Sequence, residues 1–370
     1  MEKAYKFRIY PNSEQERTIA QNFGCCRFVY NHFLALRIEL YETDGATLGF
    51  SDLCRELTAL KDIYPWLREA DSTALQSSLR DLDVAYQNFF RRVKQCEKPG
   101  FPRFKRKRGS RNSYRAKRVG DNIAVLDRHI KLPKLGLVSA SISKQVRGRI
   151  LNATVSKSPT GKYYVSLCCT DVDIDQLPST GAAVGLDMGI TDLVVDSDGN
   201  AYPNHKHVRQ SEKRLARAQR SLSRKQKGSR NREKSRARVA RIHEKIANQR
   251  ADTLHKLTTQ FVRDNDIICI EDLAIKNMIR NHSLAKSIAD ASWGELARQL
   301  QYKCEWQHKV LVKVGRFFAS SQICSACGHL NPDVVDLQVR SWRCDTCGAM
   351  HNRDTNAARN ILNEGMRKLA

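Results

Sequence analysis

Two short runs, "CSAC" at residues 324–327 and "CDTC" at 344–347, place Cys324, Cys327, Cys344 and Cys347 in a C-x2-C…C-x2-C pattern. That spacing lets two tight turns offer four thiolates to one tetrahedral ion. A full sulfur set leaves no open coordination position, so the expectation is zinc in a structural role. Gly328 and Gly348 follow the second cysteine of each pair, where a knuckle turn needs a residue free to take positive φ. A redox dithiol explains one C-x2-C unit but not two together. His329 and His351 flank the clamp, but four thiolates leave them little to do.

Three carboxylates follow a different logic. Asp187 lies in the apolar strand "AVGLDMG", where burying an acid is costly without a compensating partner. Glu271 ends the apolar strand "IICIED", and Asp354 begins a helix seven residues past Cys347. Each alone is ordinary, since an acid at a helix start commonly favours its positive end. Together, arriving from two strands and a helix, they are what a two-metal nuclease requires: carboxylates holding two Mg²⁺ ions that activate water and stabilise a leaving oxygen. Asp272 follows Glu271 directly and must face the opposite way along a strand, and Asp192 opens the next strand at its edge, so both rank second.

The elements that must position these groups come in a readable order. "KAYKFRIYPNSEQE" alternates as a strand, breaks at Pro11-Asn12, and offers Ser13 as the cap of a helix from Glu14. Helical spacing then runs to about Phe90, with Leu75, Leu79, Leu82, Ala85, Tyr86 and Phe89 on one face. The stretch 98–119 interleaves Phe101, Phe104 and Tyr114 with a dense run of cations, which suits backbone contact plus base stacking, though a disordered basic loop has the same composition. Several short strands follow to about 172 and read as a small β-barrel; the strand near Tyr5–Tyr10 can join it, making the helical block an insertion. After a linker at 173–183 come two apolar strands, a basic helical region from Lys206 to about 260, the strand ending at Glu271, a further helix and strand, the clamp, and a final helix over roughly 354–369. An α/β layer with helices over a mixed sheet is expected from that order. The basic region reads as a phosphate-tracking helical hairpin.

The chain has 370 residues, 41% of them hydrophobic and 28% charged, enough for more than one core. Its 64 Lys and Arg against 39 Asp and Glu leave a formal charge of +25, which makes nucleic acid the leading partner. No run of eighteen apolar residues occurs and the N-terminus lacks the apolar core of a signal peptide, so the expectation is a cytoplasmic protein without membrane contact. The other eight cysteines (Cys25, Cys26, Cys54, Cys96, Cys168, Cys169, Cys269, Cys304) show no framework spacing and are expected to be buried small hydrophobes.

The stretches "YKFRIYPNSEQE", "FGCCRFVYN", "PWLREADSTALQSSLRDLDVAYQNFF", "KPGFPRFKRK", "IKLPKLG", "GLDMGITDLVV", "IEDLAIKNM", "FASSQICSACG" and "WRCDTCGAMHNRDTNAARNI", in this order from end to end, resemble the TnpB family, the OrfB-type proteins of insertion sequences. The resemblance implies an RNA-guided DNA endonuclease related to type V CRISPR effectors. The fold it implies is α/β and multi-domain: an RNase H-like split RuvC nuclease domain with an inserted zinc knuckle, plus a wedge-like β-barrel with an inserted helical recognition block. The expected boundaries are a first barrel strand at 1–12, the helical block at 13–98, the rest of the barrel at 99–178, nuclease at 179–320 with a basic helical insertion at 205–262, the knuckle at 321–349 and the last nuclease segment at 350–370. Asp187 in "GLDMG", Glu271 in "IEDL" and Asp354 in "NRDTNAA" then form the catalytic triad, using Mg²⁺ at a two-metal site. The implied partners are a guide RNA derived from the transposon end and double-stranded target DNA carrying a short adjacent motif, in a bacterial or archaeal cytoplasm at the nucleoid. Arg27, Arg103, Lys105, Arg106, Lys107, Arg108, Arg220, Arg224 and Lys225 are the candidate nucleic-acid contacts. Two alternatives remain: an RNA-guided repressor that binds without cutting, and an accessory transposition protein.

Overall fold

A computed structural model describes residues 1–107, 112–336 and 338–370, which divide into two units, Met1–Asp173 and Ile174–Ala370. Arg108 lies outside the described residues.

The first unit opens with strand β1 (Lys3–Tyr10), whose alternate residues Tyr5, Phe7 and Ile9 are buried. Helices α1 (Ser13–Asp44), α2 (Phe50–Ile63) and α3 (Ser72–Lys94) follow. Asn12, not Ser13, caps α1: its side chain accepts from the Gln15 N–H while the Gln15 side chain accepts from the Asn12 N–H. This reciprocal pair satisfies two orphan donors at once, which Ser13 inside the first turn cannot do. The helical stretch is broken at Gly45, whose φ of 63° ends α1, and at the short turn Pro65–Glu69. On α3, Leu75, Leu79, Leu82 and Tyr86 are buried while Ala85 and Phe89 are half-buried.

Strands β2 (Asn112–Lys117), β3 (Ala124–Leu126), β4 (His129–Leu132), β5 (Gly136–Ser141), β6 (Arg149–Lys157) and β7 (Tyr163–Thr170) complete an antiparallel sheet in the order β2-β6-β7-β1-β5-β4-β3. The chain returns to β1 on both sides, pairing it with β7 and β5, so the three helices are inserted into this sheet. No ladder joins β2 to β3 among the described residues.

The second unit contains β8 (Ala183–Asp187), β9 (Asp192–Asp196), β10 (Ala201–Pro203), α4 (His207–Ser223), α5 (Arg230–Asp264), β11 (Ile267–Glu271), α6 (Ile275–Met278), α7 (Ala285–Ala291), α8 (Trp293–Trp306), β12 (Val310–Val314), β13 (Ser341–Arg343), β14 (Met350–Asn352) and α9 (Arg353–Arg367). Its five-stranded sheet has the order β10-β9-β8-β11-β12, antiparallel through the first three strands and parallel from β8 to β12. Alternation along the strands sends Val184, Leu186, Ile268 and Ile270 into a core with Leu254, Phe261, Leu296 and Leu300 of α5 and α8. Cys269, Val312 and Val314 face the other way, against Ile361 of α9. Basic helices α4 and α5 form a hairpin held by Ala218, Ile242 and Ile246.

The cysteine expectation needs correction. Cys25, Cys26, Cys169, Cys269 and Cys304 are buried, but Cys54 and Cys168 are half-buried and Cys96 is exposed. Cys96 sits past the end of α3 at φ 53°, where no core covers it.

Candidate active site and cysteine clamp

Asp187 and Glu271 are the last residues of neighbouring parallel strands, one position beyond the Leu186–Ile270 register pair. Since Leu186 and Ile270 face α5 and α8, the period of two turns both acids toward the face that α9 covers. Ligand crevices of parallel sheets open at these carboxyl ends.

The third acid depends on how closely α9 lies on that face. A Cβ placed on Gly185 would come within 2.1 Å of the Ala358 carbonyl oxygen, and one on Gly365 within 2.3 Å of the Cys269 sulfur. Glycine on the strand lets the helix backbone approach it directly, and glycine on the helix makes room for the Cys269 side chain. Asp354 stands one turn before Ala358, in the first turn of α9, and so projects from the end of the helix beside the two strand ends.

The electrostatics agree. Burial, then the charge of Glu271, then that of Asp354 raise the Asp187 carboxyl to about 8, against the opposing charges of Arg353 and Arg340. The Ser320 hydroxyl donates to Glu271 Oε1 at 2.5 Å, and Asp354 lies 3.6 Å from Arg340 Nη1. The three carboxylates share a field without closing to 4.8 Å; among the described residues, the metal-type cluster that tight is the four cysteines. Burial is the largest cause of that rise and the two neighbouring carboxylates add to it; oxygen donors of this kind are what hard divalent cations take.

Asp272 is exposed and paired with Arg316 at 3.0 Å, in line with its opposite strand face. Asp192 is half-buried at the start of β9. Asp196, only 3% exposed, accepts from the N–H groups of Asp198 and Asn200 and organises the turn after β9. Asp290 accepts from the Val208 and Arg209 N–H groups, capping α4 from α7. Only contacts distant in sequence reveal that last role.

Cys324 and Cys347 sulfurs lie 3.6 Å apart, as do those of Cys327 and Cys344, and all four fall within 4.8 Å of one another. Bonds of about 2.3 Å to a tetrahedral zinc put sulfurs roughly 3.8 Å apart, so the cluster fits that ion. Backbone N–H groups at Cys347 and Thr346 also draw the Cys344 thiol downward, while its neighbour Cys327, against the lowering effect of the His329 N–H, is pushed up by desolvation and by the surrounding sulfurs. His351, unlike His329, belongs to the clamp. The ring is 6% exposed, sits 4.7 Å from that of Trp342, and brings Nε2 to 3.0 Å from Cys324 Sγ. A ring nitrogen that donates there orients and stabilises the sulfur.

The clamp is joined to α9 by short covalent and polar links. Strand β14 runs directly into the helix, with Asn352 accepting from the Asp354 and Thr355 N–H groups. Buried Arg353 donates to the carbonyls of Asp336 and Val339. Asn356 and Asn360, one turn apart and both buried, donate to Ile323 O at 2.7 and 2.6 Å. Sequence reading missed these asparagines; their signal was a polar pair at i, i+4 on an otherwise apolar helix face.

The candidate nucleic-acid contacts divide between the units. Arg103, Arg106 and Lys107 are exposed in the first; Lys105 is half-buried, its ammonium 3.9 Å from the Tyr30 ring centroid and its backbone held by Asn31. Arg27 is half-buried and lines a cavity of about 220 Å³ with Tyr114 and Arg115. In the second unit Arg220, Arg224 and Lys225 are exposed at the tip of the α4–α5 hairpin. No helix among the described residues is long and apolar enough to cross a membrane.

Three family models match the chain in order: a helix-turn-helix domain of OrfB proteins at residues 1–46, the OrfB family described as "Probable transposase" at 166–282, and a Cas12f1-like TNB domain at 293–361. Residues 1–46 here form a strand and one long helix. A "Putative RNA-guided DNA endonuclease" of Streptomyces pristinaespiralis is 40% identical, covering 99% of this chain and 90% of the relative. The "Putative RNA-guided DNA endonuclease InsQ" of Escherichia coli is 36% identical over 100% and 93%. A cryo-EM structure of a Cas12f1–sgRNA–target DNA complex aligns over 98% of this chain and 99% of its own at 16% identity, with a TM-score of 0.38, too distant to carry argument. With strand acids, helix acid and cysteine clamp in place and near-complete relatives at this identity, the chain belongs to the TnpB family, the OrfB-type proteins of insertion sequences.

Proposed function

We propose that the protein is an RNA-guided DNA endonuclease that cuts double-stranded DNA at one RuvC-type site made by Asp187, Glu271 and Asp354. The observation that carries this reading is the placement of Asp187 and Glu271 at adjacent parallel strand ends, under the helix that carries Asp354. Mg²⁺ ions held by these three carboxylates would supply an activated water and stabilise the leaving oxygen of a phosphodiester. The chain's own part is to hold the acids: β8 and β11 fix two of them, and α9, tied to a zinc-filled Cys324/Cys327/Cys344/Cys347 clamp, fixes the third. The formal charge of +25 fits a protein that must hold both a guide RNA and a DNA strand. We assign guide and flanking-motif contacts to the helical block and antiparallel sheet of the first unit, acting as recognition block and wedge, and phosphate tracking to the α4–α5 hairpin.

The test is to purify the protein co-expressed with its own locus, sequence the RNA that accompanies it, and challenge the complex with plasmids carrying a matching target beside randomised flanking bases. Guide-dependent double-strand cutting with Mg²⁺ is expected. Tight RNA-directed binding without cutting would make the protein a repressor instead.

A further inference from the structure

The segment between β12 and the clamp holds a residue that the three-acid reading does not use. Ser320 is 7% exposed and lies four positions before Cys324. Its N–H donates locally to Phe318 O, and its other two polar groups go to two different elements: the hydroxyl donates to Glu271 Oε1 at 2.5 Å, and the carbonyl accepts from Asn360 Nδ2 of α9 at 2.8 Å. The same Asn360 amide also donates to Ile323 O, which takes a further bond from Asn356, and the Ser325 N–H donates back to Asn356 Oδ1 at 3.0 Å. Residues 320–325 are thereby stitched along one face of α9, with Ser320 at the end nearest Glu271.

We infer that Ser320 is a positioning residue for Glu271, fixing one carboxylate oxygen so that the other is presented to the divalent cations, in register with the helix that bears Asp354. This inference rests on the proposed nuclease reading of the site. A glutamate has three rotatable bonds beyond its backbone, and freezing them costs conformational entropy. A short bond from a neutral hydroxyl to a carboxylate is of the strong, charge-assisted kind and holds one oxygen in place. A serine hydroxyl has one proton, and here that proton goes to Glu271 Oε1. The path Glu271–Ser320–Asn360 also runs through protein only, so movement of α9 is passed to the second acid as well as to the third.

The experiment compares wild type, Ser320→Ala and Ser320→Thr as complexes with their co-purified RNA. Two quantities are read: the Mg²⁺ concentration for half-maximal cutting, and the Mg²⁺-induced shift in melting temperature with no DNA present. Loss of a bond that orients a metal ligand costs roughly 10–100-fold in metal affinity or activity. Ser320→Ala should therefore need at least about 10-fold more Mg²⁺ and show a smaller melting shift, while Ser320→Thr, which keeps the hydroxyl, restores both. Ser320→Ala with wild-type values for both would overturn the inference and leave the nuclease standing. If the wild-type complex does not cut at all, the nuclease reading fails, and the melting shift still decides whether Ser320 governs cation binding. Should Ser320→Ala melt early, the cycle with Glu271→Gln separates the roles: a positioning residue changes the Mg²⁺ shift only when Glu271 is present, whereas a purely structural one lowers stability equally in both backgrounds.

Discussion

The Ala358 carbonyl oxygen of α9 lies where a side chain on Gly185 of β8 would begin, 2.1 Å from the position of its Cβ. Strand and helix meet through backbone at this point, two residues before the first acid and four residues after the third. The absence of one methyl group at Gly185 lets α9 lie this close to the strand that ends in Asp187.

Gly185→Ala is accordingly expected to push α9 off the sheet. Overpacking of this kind costs about 1–3 kcal/mol or more, and a displacement of about 1 Å at a catalytic group lowers rates roughly 100-fold. Thermal melting and single-turnover cutting of the RNA-bound complex would check both. A variant that melts and cuts like wild type would show that the helix has slack to give.

Asp187→Asn and Glu271→Gln should each abolish Mg²⁺-dependent cutting while RNA binding stays near wild type. In chelator, Asp187→Asn should melt no lower than wild type, because it removes a carboxylate that burial and two neighbouring acids already disfavour. Cutting at wild-type rate by either variant would remove that acid from the site.

Cys344→Ser should release zinc and lower the melting temperature, since a structural zinc contributes folding free energy directly. The loss should reach activity as well, because β14 leads straight from the clamp into the first turn of α9. Metal content by mass spectrometry of the intact protein, beside a melting curve, reads this; unchanged zinc and an unchanged curve would refute it.

Asp266 gives a pH prediction. The Ser179 hydroxyl, the Gly181 and Thr180 N–H groups and Lys309 hold its carboxyl well below the usual carboxylate range, anchoring the chain as it enters β8. A folded pKa depressed below the unfolded value of about 3.9 gives stability that is fully present above that value and lost as pH falls below it. The melting advantage of wild type over Asp266→Asn should therefore shrink as the pH drops from about 5 toward 3, a window set by that same unfolded value. An advantage that stays constant, or grows, would mean the bonds do not depend on the charge.

Replacing Arg220, Arg224 and Lys225 together by Ala should weaken nucleic-acid binding alike across target sequences. For duplex DNA, each phosphate no longer neutralised by a cation flattens the slope of log affinity against log salt by about 0.9. A salt slope equal to that of wild type would take the hairpin tip out of the interface.

Several features could be read from residue types and spacing alone, because their causes are local. Two C-x2-C units specify a clamp wherever they are placed, and an acid ending an apolar run, as Glu271 does, marks a strand edge by pattern. The net charge named the class of partner, and the order of apolar periods named an α/β layer. What depended on distant contacts could not be read this way. Asn12 in place of Ser13 as the cap of α1 required the return bond from Gln15. The exposure of Cys96, the cap that Asp290 gives α4, and the bond from His351 to Cys324 each depend on which elements come to lie side by side. Above all, the sequence supplied Asp187, Glu271 and Asp354 as three separate acids. Parallel register between β8 and β11, and the glycine contacts that seat α9 on them, brought these acids into one field, because carboxylates 84 and 83 residues apart can meet only when the sheet and its covering helix are already packed.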